Sequence, residues 1–151
     1  MANILTRFKD IMAANINSLL DKAEDPEKMI DQYLRNMEKD LATIKSEAAA
    51  VIAVKNSAER KVEECKGEIA KMESYAKKAL QAGNESDARM FLQKKETLNS
   101  KLADLEKERE TAVVNAEKMK EMHDKLASDI QKLSEKRSDI KAKLKMAQTT
   151  E

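Results

Sequence analysis

The side chains best able to do chemistry are few in this 151-residue chain, which has one cysteine, Cys65, and one histidine, His123. A single thiol excludes an internal disulfide and says nothing about a metal site. Nucleophilic catalysis needs a nucleophile and its base within hydrogen-bond reach, and these two residues stand on different predicted helices. Asp and Glu are abundant, 28 in all, but they are spread along helix faces rather than paired in a cleft. No glycine-rich phosphate loop and no metal-ligand spacing occurs. The expectation is a protein that is not an enzyme and uses no cofactor and no metal.

The elements that would hold such groups are equally distinctive. Charged residues make up 38% of the sequence and aromatics 3%, with two Gly, one Pro and no Trp. That composition belongs to coiled coils and long helices. Basic and acidic residues nearly cancel, 29 against 28, which argues against nucleic-acid binding, since that needs a basic surplus on one face. The one local surplus, Lys132, Lys136, Arg137, Lys141, Lys143 and Lys145 against Glu135 and Asp139, reads first as a solvated helix end and second as an anionic contact. No apolar run approaches the roughly 20 residues needed to span a bilayer. Asp10, Asn15 and Asn17 interrupt the N-terminal stretch, which excludes a signal peptide and points to the cytoplasm.

Punctuation places the helices. Asp25-Pro26-Glu27 is a helix start: Asp25 caps, Pro26 takes the first helical position, and Glu27 meets the positive end of the dipole. Gly83-Asn84 is the second break, with Gly83 suited to the left-handed position and Asn84, with Asp87 or Ser86, to capping the second long helix. The predicted domains are therefore an amphipathic helix over 1–24 and a hairpin over 25–151, with helices 26–82 and 85–147 and a turn at 83–84. Nothing alternates with period two, so no strand is expected.

Both long helices carry a heptad repeat. Spacing of 4 and 3 from Ile30 passes through Leu34, Met37, Leu41 and Ile44 to Ala79, broken only by Lys55. The same spacing from Ala88 reaches Leu98, Leu105, Leu126 and Leu133 before ending at Ala147. A repeat of this length requires a left-handed supercoil with another helix, and the short turn makes that helix the other arm of the same chain. Pairing residues whose numbers sum to 167 puts the turn at Gly83-Asn84 and aligns every seam position. The fold class is all-α: an antiparallel two-helix coiled-coil hairpin, preceded by a short amphipathic helix. At about 1.5 Å per residue the hairpin is a rod of roughly 80 Å, with no concave pocket, and Cys65 and His123 lie far apart along it.

Lys95, Arg109, His123 and Arg137 interrupt the second seam every 14 residues, and Lys55 interrupts the first. In the proposed register Arg109 faces Ala58 and Lys55 faces Ala112, which leaves room for a long stem to reach out of the seam. These seam cations either specify register or reach acidic residues of a neighbouring chain. His123 alone could titrate near neutral pH.

On a helical wheel Ile4, Leu5, Phe8, Ile11, Met12, Ile16 and Leu19 share one arc, with Leu20 just outside. Arg7 and Lys9 lie at its edges, Asp10 and Asp21 on the far side, and Asn15 intrudes. An apolar face with flanking cations describes a helix lying in a membrane interface. The other reading packs this face on the hairpin, but the predicted hairpin spends its seam on itself and turns charged faces outward.

Two stretches, "NILTRFKDIMAANINSLLDKAEDPEKMIDQYLRNMEKDL" and "KKALQAGNESDARMFLQKKETL", resemble the phage shock protein A family, which includes the vesicle-inducing protein of plastids and belongs to the ESCRT-III-like superfamily. The resemblance covers essentially the whole chain. It implies peripheral binding to anionic lipid on the inner face of the cytoplasmic membrane, homo-oligomeric assembly and membrane maintenance or remodelling under envelope stress. It also implies, for some relatives, inhibition of a transcription-activating ATPase. Further shorter helices are implied after the hairpin, and the sequence ending at Glu151 lacks them. Two functions are thus expected in competition: a membrane-surface scaffold, or a soluble coiled-coil adaptor whose first helix folds onto its own hairpin.

Overall fold

The computed structural model describes residues 3–149. A 3₁₀ turn (Asn3–Arg7) leads into two short helices, α1 (Phe8–Ala13) and α2 (Ile16–Asp21), and then two long ones, α3 (Pro26–Gln81) and α4 (Glu85–Thr149). No strand occurs among the described residues, and the long pair forms the antiparallel hairpin that the heptads require.

Local chemistry sets the ends of the long helices. Asp25 accepts a hydrogen bond from the Lys28 amide at 3.3 Å, and Pro26 is the first residue of α3. At the turn Gly83 has φ of 78°, a left-handed conformation that costs little only without a Cβ. The Asn84 amide donates to the Ala79 carbonyl and the Gly83 amide to Leu80, which satisfies two carbonyls that the helix end leaves open. Asn84 then starts α4: its side-chain oxygen accepts from the Asp87 amide at 3.1 Å, and its amide nitrogen donates to the Asp87 carboxylate at 2.7 Å.

Every 4–3 position from Ile30 to Ile140 is buried or half-buried, whereas Leu144 and Ala147 are exposed. Those last two positions run past the level at which α3 begins, so no facing helix covers them. The chain divides into two compact units, residues 50–116 and the remainder on either side.

In the 50–116 unit, Ala58, Val62, Cys65, Ala76, Ala88 and Ala112 are buried. Tyr75 and Phe91 lie tilted against each other across the seam, with ring centroids 5.4 Å apart. Lys95 reaches out of the seam to Glu73 at 2.7 Å, within one residue of the predicted register. The hydrogen bond and charge of Lys95 hold the Glu73 carboxyl below its ordinary value of 4.5. Because the folded value is depressed, the stabilisation is present above that ordinary value and is lost as pH falls through the lower one. Lys95→Gln should therefore move the Glu73 midpoint back up, as read by NMR titration of the side-chain carboxyl.

In the other unit Ile16, Leu20, Ile30, Leu34 and Leu133 form one cluster, with Tyr33, Met37, Ile130 and Ile140 against it. Arg137 leaves the seam for Asp31, with Nε and a carboxylate oxygen 2.7 Å apart as an ion pair. Its angle falls outside hydrogen-bond geometry. Leu133 is fully buried and Leu144 half exposed, so their truncations separate packing from propensity. Leu133→Ala should cost about 2–5 kcal/mol and Leu144→Ala no more than about 0.5 kcal/mol, both measured by urea unfolding.

Candidate functional site

The candidate residues of the N-terminal segment do not form one helix. Ala14 and Asn15 are both extended, at φ −62°, ψ 127° and φ −114°, ψ 103°, and they divide the segment into α1 and α2. Asn15, the polar intruder on the helical wheel, accounts for the break. Its side chain accepts from the Ser18 amide at 3.2 Å and caps α2. Asn is favoured at a cap because it satisfies an amide that the first turn leaves open. The expected continuous helix over 1–24 is corrected to a 3₁₀ turn and two six-residue helices.

The segment is folded down on the parts of α3 and α4 in its own unit. Ile4, Ile11, Ile16 and Leu20 are buried; Leu5, Phe8 and Met12 are half-buried; Leu19, Arg7 and Lys9 are exposed. The expectation that the hairpin, with its seam spent on itself and charged faces outward, offers little to pack against is corrected as well. Met122 is fully buried, although it lies outside the 4–3 seam, and the neighbouring seam residue His123 is half exposed beside Asp124. Met119 and Leu126 are buried with it. The signal that could have found this second stripe was Met122 itself, an apolar residue one position off the repeat.

Polar contacts fasten the segment to both long helices. Arg7 Nη1 lies 2.5 Å from Asp40 Oδ1 on α3. Lys118 of α4 sits over the Phe8 ring, 5.2 Å from its centroid, a cation–π contact. Lys125 donates to the Ala14 carbonyl at 2.9 Å and also binds Asp129. That carbonyl is open because the extended backbone at Ala14 ends the helical pattern there, so the break in the segment creates the acceptor that α4 takes up. Among the described residues Asp40 and Asp129 are the buried charged ones, and nothing in their local sequence distinguishes them from acids on the outer faces.

The other candidate positions lie along the long helices. Lys55 lies 3.9 Å from Glu59, and Arg109 is half-buried. The thiol of Cys65 is buried and donates to the Leu98 carbonyl at 3.4 Å. Among the described residues no three His, Cys, Asp or Glu side chains converge on a metal-sized position. No described helix is long and apolar enough to cross a membrane.

Residues 3–151 match the PspA/IM30 family. The chain belongs to that family. It is 58% identical over 149 residues to the phage shock protein A homolog of Bacillus subtilis, covering 99% of this chain and 66% of the relative. It is 32% identical over 148 residues to the membrane-associated protein Vipp1 of Nostoc punctiforme, covering 98% of this chain and 57% of the relative. Protein LiaH of Bacillus subtilis is 28% identical over 148 residues, at 98% and 66%. The chain thus spans 57% to 66% of the length of these PspA/IM30 relatives, and the match takes in the N-terminal segment and both arms of the hairpin.

Asn15→Ala should loosen α2 by about 1 kcal/mol. Amide hydrogen exchange would show faster exchange confined to residues 16–21, with the long helices unchanged.

Proposed function

We propose that this PspA/IM30 chain is a peripheral membrane-surface scaffold: its N-terminal segment lies down on anionic lipid of the cytoplasmic membrane, and its hairpins associate as a homo-oligomer to maintain or remodel that membrane under envelope stress. The observation that carries this reading is the composition and attachment of the segment. It gathers Ile4, Leu5, Phe8, Ile11, Met12, Ile16, Leu19 and Leu20 beside Arg7 and Lys9, and four residues between Asp21 and Pro26 tether it. Apolar residues with flanking cations bind an interface through buried area plus attraction to anionic headgroups. The names of the Vipp1 relatives, as membrane-associated proteins, support the same reading.

On this reading the folded-down arrangement is the form the segment takes away from lipid. The hairpin face and the bilayer compete for one set of apolar side chains, and the segment is short enough to exchange between them. Burying a Phe side chain contributes about 1.5–3 kcal/mol, so Phe8→Glu should lower binding to phosphatidylglycerol vesicles by about tenfold or more. Far-UV circular dichroism should stay unchanged, because the long helices do not depend on Phe8. If the variant pellets with vesicles as well as wild type, the lipid reading fails.

The burial of Ile4, Ile11, Ile16 and Leu20 specifically favours a second reading, a soluble adaptor or regulator whose charged hairpin docks a protein such as a transcription-activating ATPase. The same assay separates the two, since the adaptor pellets with no vesicle, wild type or variant.

A further inference from the structure

Arg7 stands at the edge of the face assigned to lipid, yet its guanidinium is already occupied by Asp40. Lys125 is occupied in the same manner, by the Ala14 carbonyl and Asp129. Both acids are buried, and a buried carboxylate is tolerated only with a partner. The N-terminal segment brings that partner to Asp40.

We propose that the Arg7–Asp40 pair, backed by Lys125 on Ala14, is a latch that anionic lipid headgroups open by competing for the cation. This rests on the reading of the segment as a lipid-contact element and adds its regulation. A guanidinium matches phosphate and carboxylate oxygens alike, in the same forked geometry, and the Nη1 donor that Asp40 holds is the one a headgroup must take over to complete its own fork. In water, or against a zwitterionic surface, Asp40 keeps Arg7 and the segment stays down. A surface dense in phosphate offers Arg7 an equivalent partner, and the apolar face leaves with it. Asp40 is then hydrated rather than stranded, because the segment itself is what covers it.

The strength of the latch suits such an exchange. The Arg7 side chain is 53% exposed and that of Asp40 13%, so the pair biases the stowed state by only about two- to fivefold. A ligand shifts an equilibrium only by its differential affinity for the two states, and here the headgroup meets the whole guanidinium, Nη1 included, only in the open state.

Two variants test the latch from opposite sides. Asp40→Asn and Arg7→Gln both remove the pair, the second at an exposed position that leaves folding intact. Without lipid, Asp40→Asn should speed amide exchange over residues 8–21 by about two- to fivefold, and Arg7→Gln by more, because it leaves the Asp40 charge buried without its partner. Against vesicles they should diverge: Asp40→Asn should bind phosphatidylglycerol more tightly and gain binding to phosphatidylcholine, while Arg7→Gln should lose phosphatidylglycerol binding. The latch is overturned if wild type binds phosphatidylglycerol but Asp40→Asn changes neither exchange nor binding, or if it speeds exchange without raising binding. If neither wild type nor Asp40→Asn binds any vesicle, the lipid reading itself is overturned, whatever the exchange shows.

Discussion

Two helices wound about each other can bury only the narrow strip that faces inward, and apolar residues beyond that strip need a third element. In this chain the 50–116 unit fills much of its seam with Ala58, Ala76, Ala88 and Ala112 and leaves Ile52, Val54, Leu80 and Leu92 exposed beyond it. The other unit buries more than that strip. Met122 lies off the repeat, and Ile30, Leu34 and Leu133 share a cluster with Ile16 and Leu20. The N-terminal segment supplies the missing side of that cluster. Its position follows from the same burial requirement that pairs the long helices, applied to residues the pair cannot cover alone.

The hairpin was legible because its signals are local and redundant. A 4–3 spacing held through both arms, a left-handed glycine at 83 and a capping Asn84 each point to the same turn. The pairs Glu73–Lys95 and Asp31–Arg137 then tie two of the seam cations to the opposite arm close to the register deduced from the numbering. Lys95 and Arg137 can make these pairs because a flexible stem leaves the seam and meets an acid on the flank.

The N-terminal segment was only half legible, for a physical reason. Helical spacing records that Ile4, Ile11 and Ile16 share a face, with Leu20 beside it; it does not record what covers that face. A bilayer and a protein groove both accept it. On a wheel Asn15 is a blemish on the face, whereas in the fold it is the cap that divides it, since a wheel drawn through one continuous helix has no place for a cap. Asp40 and Asp129 were invisible, because an acid becomes a core residue only when another part of the chain folds over it.

The division of the segment into two six-residue helices has a consequence for how it searches. Isolated helices shorter than about 12–15 residues are marginal in water, so α1 and α2 hold their shape by leaning on α3 and α4. Lifted away, the segment is a flexible arm rather than a stiff rod. A coil spans about 5–6 Å times the square root of its length in residues, so an arm of this size sweeps a few tens of ångströms around its tether. Its capture radius grows at the moment its helices melt, and any surface that refolds it must bear the ordering entropy that the hairpin face bears in the stowed form.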